Sequence, residues 1–129
     1  MLGGRDMERI LREHISKPNL GFEFSEEQRG SAVLFTCRGA FSLGSYAELE
    51  SMERATRKLA SKRIVLDMRQ VAHIDSTGIG TLAAILTNAM DAKGEVRLVP
   101  SSAVKLAVGL ARLDSFLQSF DSLESALAQ

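Results

Sequence analysis

The apolar positions of this chain change period several times, and the changes mark its elements. In residues 5–16, Met7, Ile10, Leu11 and Ile15 lie on one helical stripe with charges elsewhere. Lys17-Pro18 ends that segment, because the residue before a proline is pushed out of the helical region. "LGFEFSEEQ" then alternates Leu20, Phe22 and Phe24 against smaller or polar neighbours, the period of a half-buried strand. After a glycine-containing turn at 28–31, "SAVLFTCRG" reads as the second arm of an antiparallel hairpin, closed by Gly39. Between 45 and 61, Leu49, Met52, Ala55 or Thr56, and Leu59 recur at helical spacing among Glu and Arg. "RIVLDM" (63–68) is a compact apolar strand suited to burial on both faces, with "VAHID" (71–75) as its extension or a second short strand.

A helix is predicted over 76–92, free of charge through Met90 and ended at Lys93-Gly94 by a basic residue and a C-terminal glycine. "EVRLVP" is a further strand, closed by Pro100, and "SSAVKLAVGL" opens with a serine cap and reads as a helix. "SFLQSF" reads as a short strand. In the tail "FDSLESALA", Asp121 and Glu124 have capping-box spacing ahead of Leu123, Ala126 and Leu127. A hairpin followed by alternating helices and strands predicts an α/β fold: a mixed β-sheet with an N-terminal antiparallel hairpin, then β-α-β units, flanked by helices. The expected division is an amphipathic extension over 1–19 and one domain over 20–129. The extension is expected to be a docked or frayed terminus on the body of the domain, the alternative being packing on a second copy to make a homodimer.

Composition narrows the function more than the fold. Sixteen Lys and Arg balance sixteen Asp and Glu, so no overall field favours nucleic acid or an anionic membrane. Six Phe, one Tyr and no Trp give little surface for stacking bases. Cys37 is the single cysteine, which excludes an internal disulfide and a cysteine-rich zinc site; in its apolar run it reads as a buried small hydrophobe. The charged N-terminus lacks an apolar signal core, and the charge-free run at 76–90 is too short and too rich in Gly, Thr and Asn to span a bilayer. A cytoplasmic protein without direct membrane insertion is expected.

The stretch "HIDSTGIGTLAAIL" (73–86) holds the candidate chemistry. Asp75, Ser76 and Thr77 all favour helix N-caps, and a cap contributes about 1 kcal/mol. Residues 78–83 also fit G-x-G-x-x-A between strand and helix. Against a dinucleotide, Asp75 would repel a pyrophosphate, and the next strand offers no carboxylate for a ribose hydroxyl. A nucleophile elbow at Ser76 needs glycine two residues earlier, where Ile74 stands; both histidines, His14 and His73, lie upstream. His73 and Asp75 could offer two metal ligands, fewer than zinc requires.

The helix itself supplies a fourth reading. On a wheel, Ile79, Leu82, Ala83, Leu86 and Met90 form the inward stripe, and Gly80, Thr81, Ala84, Ile85 and Asn88 form an outer face that is small, weakly apolar and uncharged. Such a face is covered within the domain or docks on another protein, with Ser76 at the rim. A phosphoryl group on Ser76 would add about −1.5 to −2 charges at pH 7, stabilised by the helix-terminal amides, beside the charge of Asp75. Thr77, Gly78 and Gly80 shape the turn. A docking surface for a neutral helix would then reject the modified form.

These residues carry a resemblance. "IVLDMRQVAHIDSTGIGTL", then "GEVRLVP" and the tail "LDSFLQSFDSLESALA", closely resembles the STAS domain of bacterial anti-sigma factor antagonists, from about Phe22 to the C-terminus. The resemblance implies a mixed sheet flanked by helices, no catalytic activity and no cofactor. It implies that Ser76 is phosphorylated by an anti-sigma factor that is also an ATP-dependent serine kinase. The unmodified domain would bind that kinase and free a sigma factor, and a PP2C-type phosphatase would reset it. Gly39-Ala40-Phe41-Ser42 departs from the family, placing serine where an acid is usual. The alternative is a non-switching STAS scaffold or accessory subunit of a transport or stress-signalling complex.

Overall fold

A computed structural model describes residues 21–128 of the chain. The amphipathic segment at 5–16 and the proposed boundary at 19/20 lie outside the described residues.

The hairpin forms as the alternation requires. Strand β1 (Phe22–Arg29) pairs antiparallel with β2 (Ala32–Phe41), from Arg29 opposite Ala32 to Phe22 opposite Gly39. The Gly30-Ser31 turn joins them, with Gly30 at φ +62°, a conformation that costs glycine little. Gly39 does not close β2. It sits inside the strand at φ +100°, and a Cβ there would stand 1.8 Å from the Gly21 carbonyl oxygen, so the strand bends past Gly21 and runs on to Phe41.

A 3-10 turn (Leu43–Ser45) leads into helix α1 (Tyr46–Lys58), which buries Leu49, Met52 and Thr56. Strand β3 (Arg63–Ile74) is one continuous strand that absorbs both sequence segments, its register on β2 shifting between Thr36 and Arg38 and between Gly39 and Ala40. Then follow α2 (Ser76–Asp91), β4 (Glu95–Pro100), α3 (Ser102–Leu110), β5 (Gln118–Ser119) and α4 (Leu123–Leu127). The five strands lie in sequence order, parallel from β2 onward. The fold is the expected mixed sheet of hairpin plus β-α-β units, flanked by helices.

One large core holds the sheet against α1, α2 and α3: Phe35, Phe41, Ile64, Leu66 and Leu98 meet Leu49, Met52, Leu82, Ile85, Val104 and Val108. On the opposite face a smaller cluster of Ala32, Leu34, Val65 and Val99 is closed by Ala126, with Leu123 and Leu127 packed against it. Cys37 lies in the main core at 1% exposure, and burial first, then the nearby Asp67 charge, pushes its thiol far above the ordinary range. It is a core side chain.

Three boundaries and one helix face depart from the periodicity. The strand expected over 115–120 contracts to two residues, with Leu117 buried beside it. Helix α4 is capped by Ser122, whose hydroxyl accepts from the Ser125 amide at 3.1 Å, in place of an Asp121–Glu124 box. At the end of α2 the left-handed residue is Lys93, at φ +61°, and Gly94 follows it. Gly94 is required instead by packing, since a Cβ would stand 1.8 Å from the Ala60 carbonyl oxygen. The wheel of α2 is also rotated: Ile85 is 1% exposed in the core, whereas Met90, assigned to the inward stripe, is 58% exposed.

Candidate functional site

Asp75 is the residue on which the turn is built. It caps α2 in extended conformation, and its Oδ1 accepts from the Thr77 amide at 3.0 Å and the Gly78 amide at 3.1 Å. Its other oxygen accepts from the Leu43 amide at 3.1 Å, in the 3-10 turn after β2. The Asp75 amide itself donates to the Phe41 carbonyl at 3.3 Å. One aspartate therefore fastens the start of α2 to the end of β2. Burial works against its charged form, but the donated hydrogen bonds outweigh burial, Leu43 first, then Gly78 and Thr77, with His73 adding to them; the carboxyl is held below the ordinary aspartate range. With both oxygens accepting from amides, Asp75 acts as a structural cap.

Gly78 is there because nothing larger fits. A Cβ at this position would lie 2.0 Å from the Phe41 carbonyl oxygen and 2.9 Å from Ile74 Cγ1. Gly80, one turn-face away, is exposed with open space around it. The two glycines that mimic a dinucleotide fingerprint thus have unrelated roles, close packing and an open surface.

Ser76 is the first residue of α2 and is exposed, immediately before Thr77. The expectation that the helix-terminal amides would stabilise a phosphoryl group here is corrected in part, since the Thr77 and Gly78 amides are already taken by Asp75. A charge added at Ser76 projects to the surface beside a carboxylate.

The remaining predicted residues divide. Thr77, Gly80, Thr81 and Ala84 line an open groove between α2 and α1, whose far wall carries Tyr46, Glu50, Glu53 and Arg54. Thr81 is half-buried and its hydroxyl donates back to the Thr77 carbonyl at 3.1 Å. Asn88 is drawn into the helix pair, its side-chain amide donating to Glu53 Oε1 at 2.9 Å. Ile85, assigned to the outer face, is a core residue: the helix packs on the sheet about a fifth of a turn away from the wheel's prediction, so it is not presented to a partner. The outer face is thus a groove flanked by a charged helix, not an isolated neutral surface.

Sequence reasoning missed Leu43 and Tyr46, which stand exposed at 67% and 57% beside the turn. The only available signal was apolar residues flanking a loop glycine in "FSLGSY". Ser42, at the position where the family usually has an acid, is nearly buried, and its carbonyl accepts from the Ser45 amide at 2.9 Å.

With this geometry in view the comparisons are specific. The family model of the STAS domain matches residues 23–126, and the chain belongs to that family. The Thermotoga maritima protein TM1081, assigned as an anti-sigma factor antagonist, superposes with a TM-score of 0.70 at 21% identity, over 81% of this chain and 91% of that one. The anti-sigma factor antagonist SpoIIAA in its unphosphorylated form gives 0.68 at 16% identity, over 81% and 93%; a second structure, of the Bacillus protein in its phosphorylated form, also matches. The murine anion transporter Slc26a9 gives 0.63 at 18% identity over 78% of this chain, but that match is 18% of the transporter's length. A comparison with curated proteins gives no match. Among the described residues no helix is long and apolar enough to cross a membrane.

Proposed function

We propose that this protein is an anti-sigma factor antagonist that works as a phosphorylation-switched binding module, with Ser76 as the phosphate acceptor. The unmodified form binds an anti-sigma serine kinase in the cytoplasm and so releases a sigma factor; a PP2C-type phosphatase restores the bound state. In this reading the chain is a regulator, not an enzyme, and needs no cofactor. Asp75, Thr77 and Gly78 set the turn, and Gly80, Thr81 and Ala84 make the contact, with Asn88 holding the groove's shape.

The observation that carries this reading is the exposure of Ser76, next in sequence to Thr77 of that groove, with the neighbouring amides already satisfied by Asp75. The likeness to SpoIIAA, which has been solved in phosphorylated and unphosphorylated forms, supports it. A phosphoserine brings about −1.5 to −2 charges at pH 7. A partner surface would have to desolvate that charge together with Asp75, and a penalty of about 3 kcal/mol weakens binding about a hundredfold. That is enough to change partners.

The test uses the full chain, ATP and each serine kinase encoded beside its gene. Intact-mass analysis is expected to show one phosphate, absent in Ser76→Ala, and loss of kinase binding once it is added. No phosphate on Ser76, with Ser76→Asp binding the kinase as well as wild type, would overturn the switch and favour the non-switching scaffold of a transport or stress-signalling complex.

A further inference from the structure

Among the described residues, three of the exposed large apolar side chains lie on or just beyond α3. Ala103, Leu106, Ala107 and Leu110 follow the i, i+3, i+4, i+7 spacing, the two leucines exposed and the two alanines half-buried beside the face that carries buried Val104 and Val108. Leu106 is 66% and Leu110 77% exposed, and Phe116, just beyond the helix, is 60% exposed. Three large apolar side chains around one nine-residue helix are more than a solvated surface needs.

The sequence of the same chain carries an apolar stripe at helical spacing, Met7, Ile10, Leu11 and Ile15 in the segment 5–16. The path from one to the other is short. The Gly21 carbonyl accepts from the Ala40 amide at 2.8 Å, Gly39 pairs with Val71 on the next strand, and the Val71 carbonyl accepts from the hydroxyl of Ser101, the N-cap of α3, at 2.7 Å. Two strand spacings and one hydrogen bond put the first turn of α3 about 15 Å from Gly21. Residues 16–20 in extended form span about 17 Å, which suffices. Twelve helical residues are about 18 Å long, matching α3 together with the turn that carries Phe116.

We propose that residues 5–16 dock as an amphipathic helix, antiparallel to α3 of the same chain, on the stripe of Leu106, Leu110 and Phe116. A chain arriving at the first turn of α3 and followed back toward its start sets Ile15 level with Ala103 and Leu11 level with Ala107. Met7 then lies level with Ala111, beside Leu110, and Asp6 is level with Arg112. The proposal is independent of the Ser76 switch, because it uses neither the turn nor the groove.

The experiment places a nitroxide on full-length Arg9→Cys, on the charged side of the segment. Cys37, 1% exposed, stays unlabelled. In isotope-labelled protein at low concentration, the amides of 103–110 and of Phe116 are expected to broaden most. Broadening should vanish in Met7→Asp/Leu11→Asp and in Leu106→Lys/Leu110→Lys, and amide exchange along α3 should rise about tenfold in both. The second pair alters only exposed positions, so its effect cannot come from loss of the core. Unbroadened α3 amides, or broadening centred on Leu43 and Tyr46, would overturn the proposal. So would broadening seen only when spin-labelled, isotopically silent molecules are mixed in, because the occupant would then be a second copy.

Discussion

The Asp75 carboxylate and the Leu43 amide meet at 3.1 Å across a sequence separation of 32 residues, and this contact joins the capped turn to the loop after β2. Removing it separates two effects of one side chain. Asp75→Ala loses the cap and leaves three amides without their acceptor, so a loss of about 2 kcal/mol in urea denaturation is expected, at the upper end for a cap. Asp75→Asn keeps a cap oxygen and should lose less. Amide exchange at Leu43 should accelerate in both variants.

The same carboxylate sets a pH dependence. Its folded pKa lies below the ordinary aspartate value of about 3.9, so its stabilisation is complete above that value and disappears as pH falls through the lower, folded one. The stability difference between wild type and Asp75→Asn should therefore be constant from pH 7 to about 5 and shrink below about 4. Asp67, held low by Arg69 against the effect of its own burial, titrates in the same direction and forms a background common to both proteins.

Gly78 and Gly80 are expected to respond oppositely to one methyl group. In Gly78→Ala the new carbon meets the Phe41 carbonyl oxygen at 2.0 Å, and backbone must move; a loss of about 3 kcal/mol, the upper range for overpacking, is expected. In Gly80→Ala the carbon meets nothing within 4 Å, and the helix gains about 1 kcal/mol from the better propensity of alanine. Thermal unfolding of the two variants measures both. Kinase affinity of Gly80→Ala then reports on close approach to the groove, because its fold is not weakened.

Much of this was legible in the sequence because single segments carried it. The alternation of Phe22 and Phe24 in β1, the apolar runs of β2 and β3 and the Asp-Ser-Thr cap each specify a local structure without help from distant residues. What was not legible depends on contacts across the fold. The rotation of α2 that buries Ile85 and exposes Met90 follows from how the helix seats on Phe41 and Ile74 through Gly78, and a wheel drawn on one helix cannot contain it. The Leu43 donor is a backbone group and leaves no mark on residue type. The glycine expected to cap α2 was one residue off for the same reason, since the lack of space for a side chain there is set by the Ala60 carbonyl on a neighbouring loop.

That displaced cap gives a direct test. Lys93 holds φ +61°, a conformation that costs a non-glycine residue about 1 kcal/mol. The Gly94 amide meanwhile completes the helix end by donating to the Ala89 carbonyl at 2.8 Å. Lys93→Gly should raise stability by up to about 1 kcal/mol, whereas Gly94→Ala should lower it by more, its Cβ colliding with backbone. Equal effects of the two substitutions in denaturant unfolding would contradict this assignment of the cap.

Charge at Ser76 should act on binding and leave the fold intact. A carboxylate on the first residue of α2 lies at the positive end of the helix dipole, which favours it by about 0.3–1 kcal/mol at an exposed site, while the adjacent Asp75 carboxylate repels it by a comparable amount. Ser76→Asp is therefore expected to unfold in urea within about 0.5 kcal/mol of wild type. Its affinity for the kinase should nonetheless fall at least tenfold, and less than that of the phosphorylated protein, because aspartate carries about half the charge of a phosphoserine. Ser76→Ala should match wild type in both measurements. If Ser76→Asp instead lost stability and affinity in proportion, the charge would be disrupting the turn itself, and the exposed position of Ser76 would not be what the partner reads.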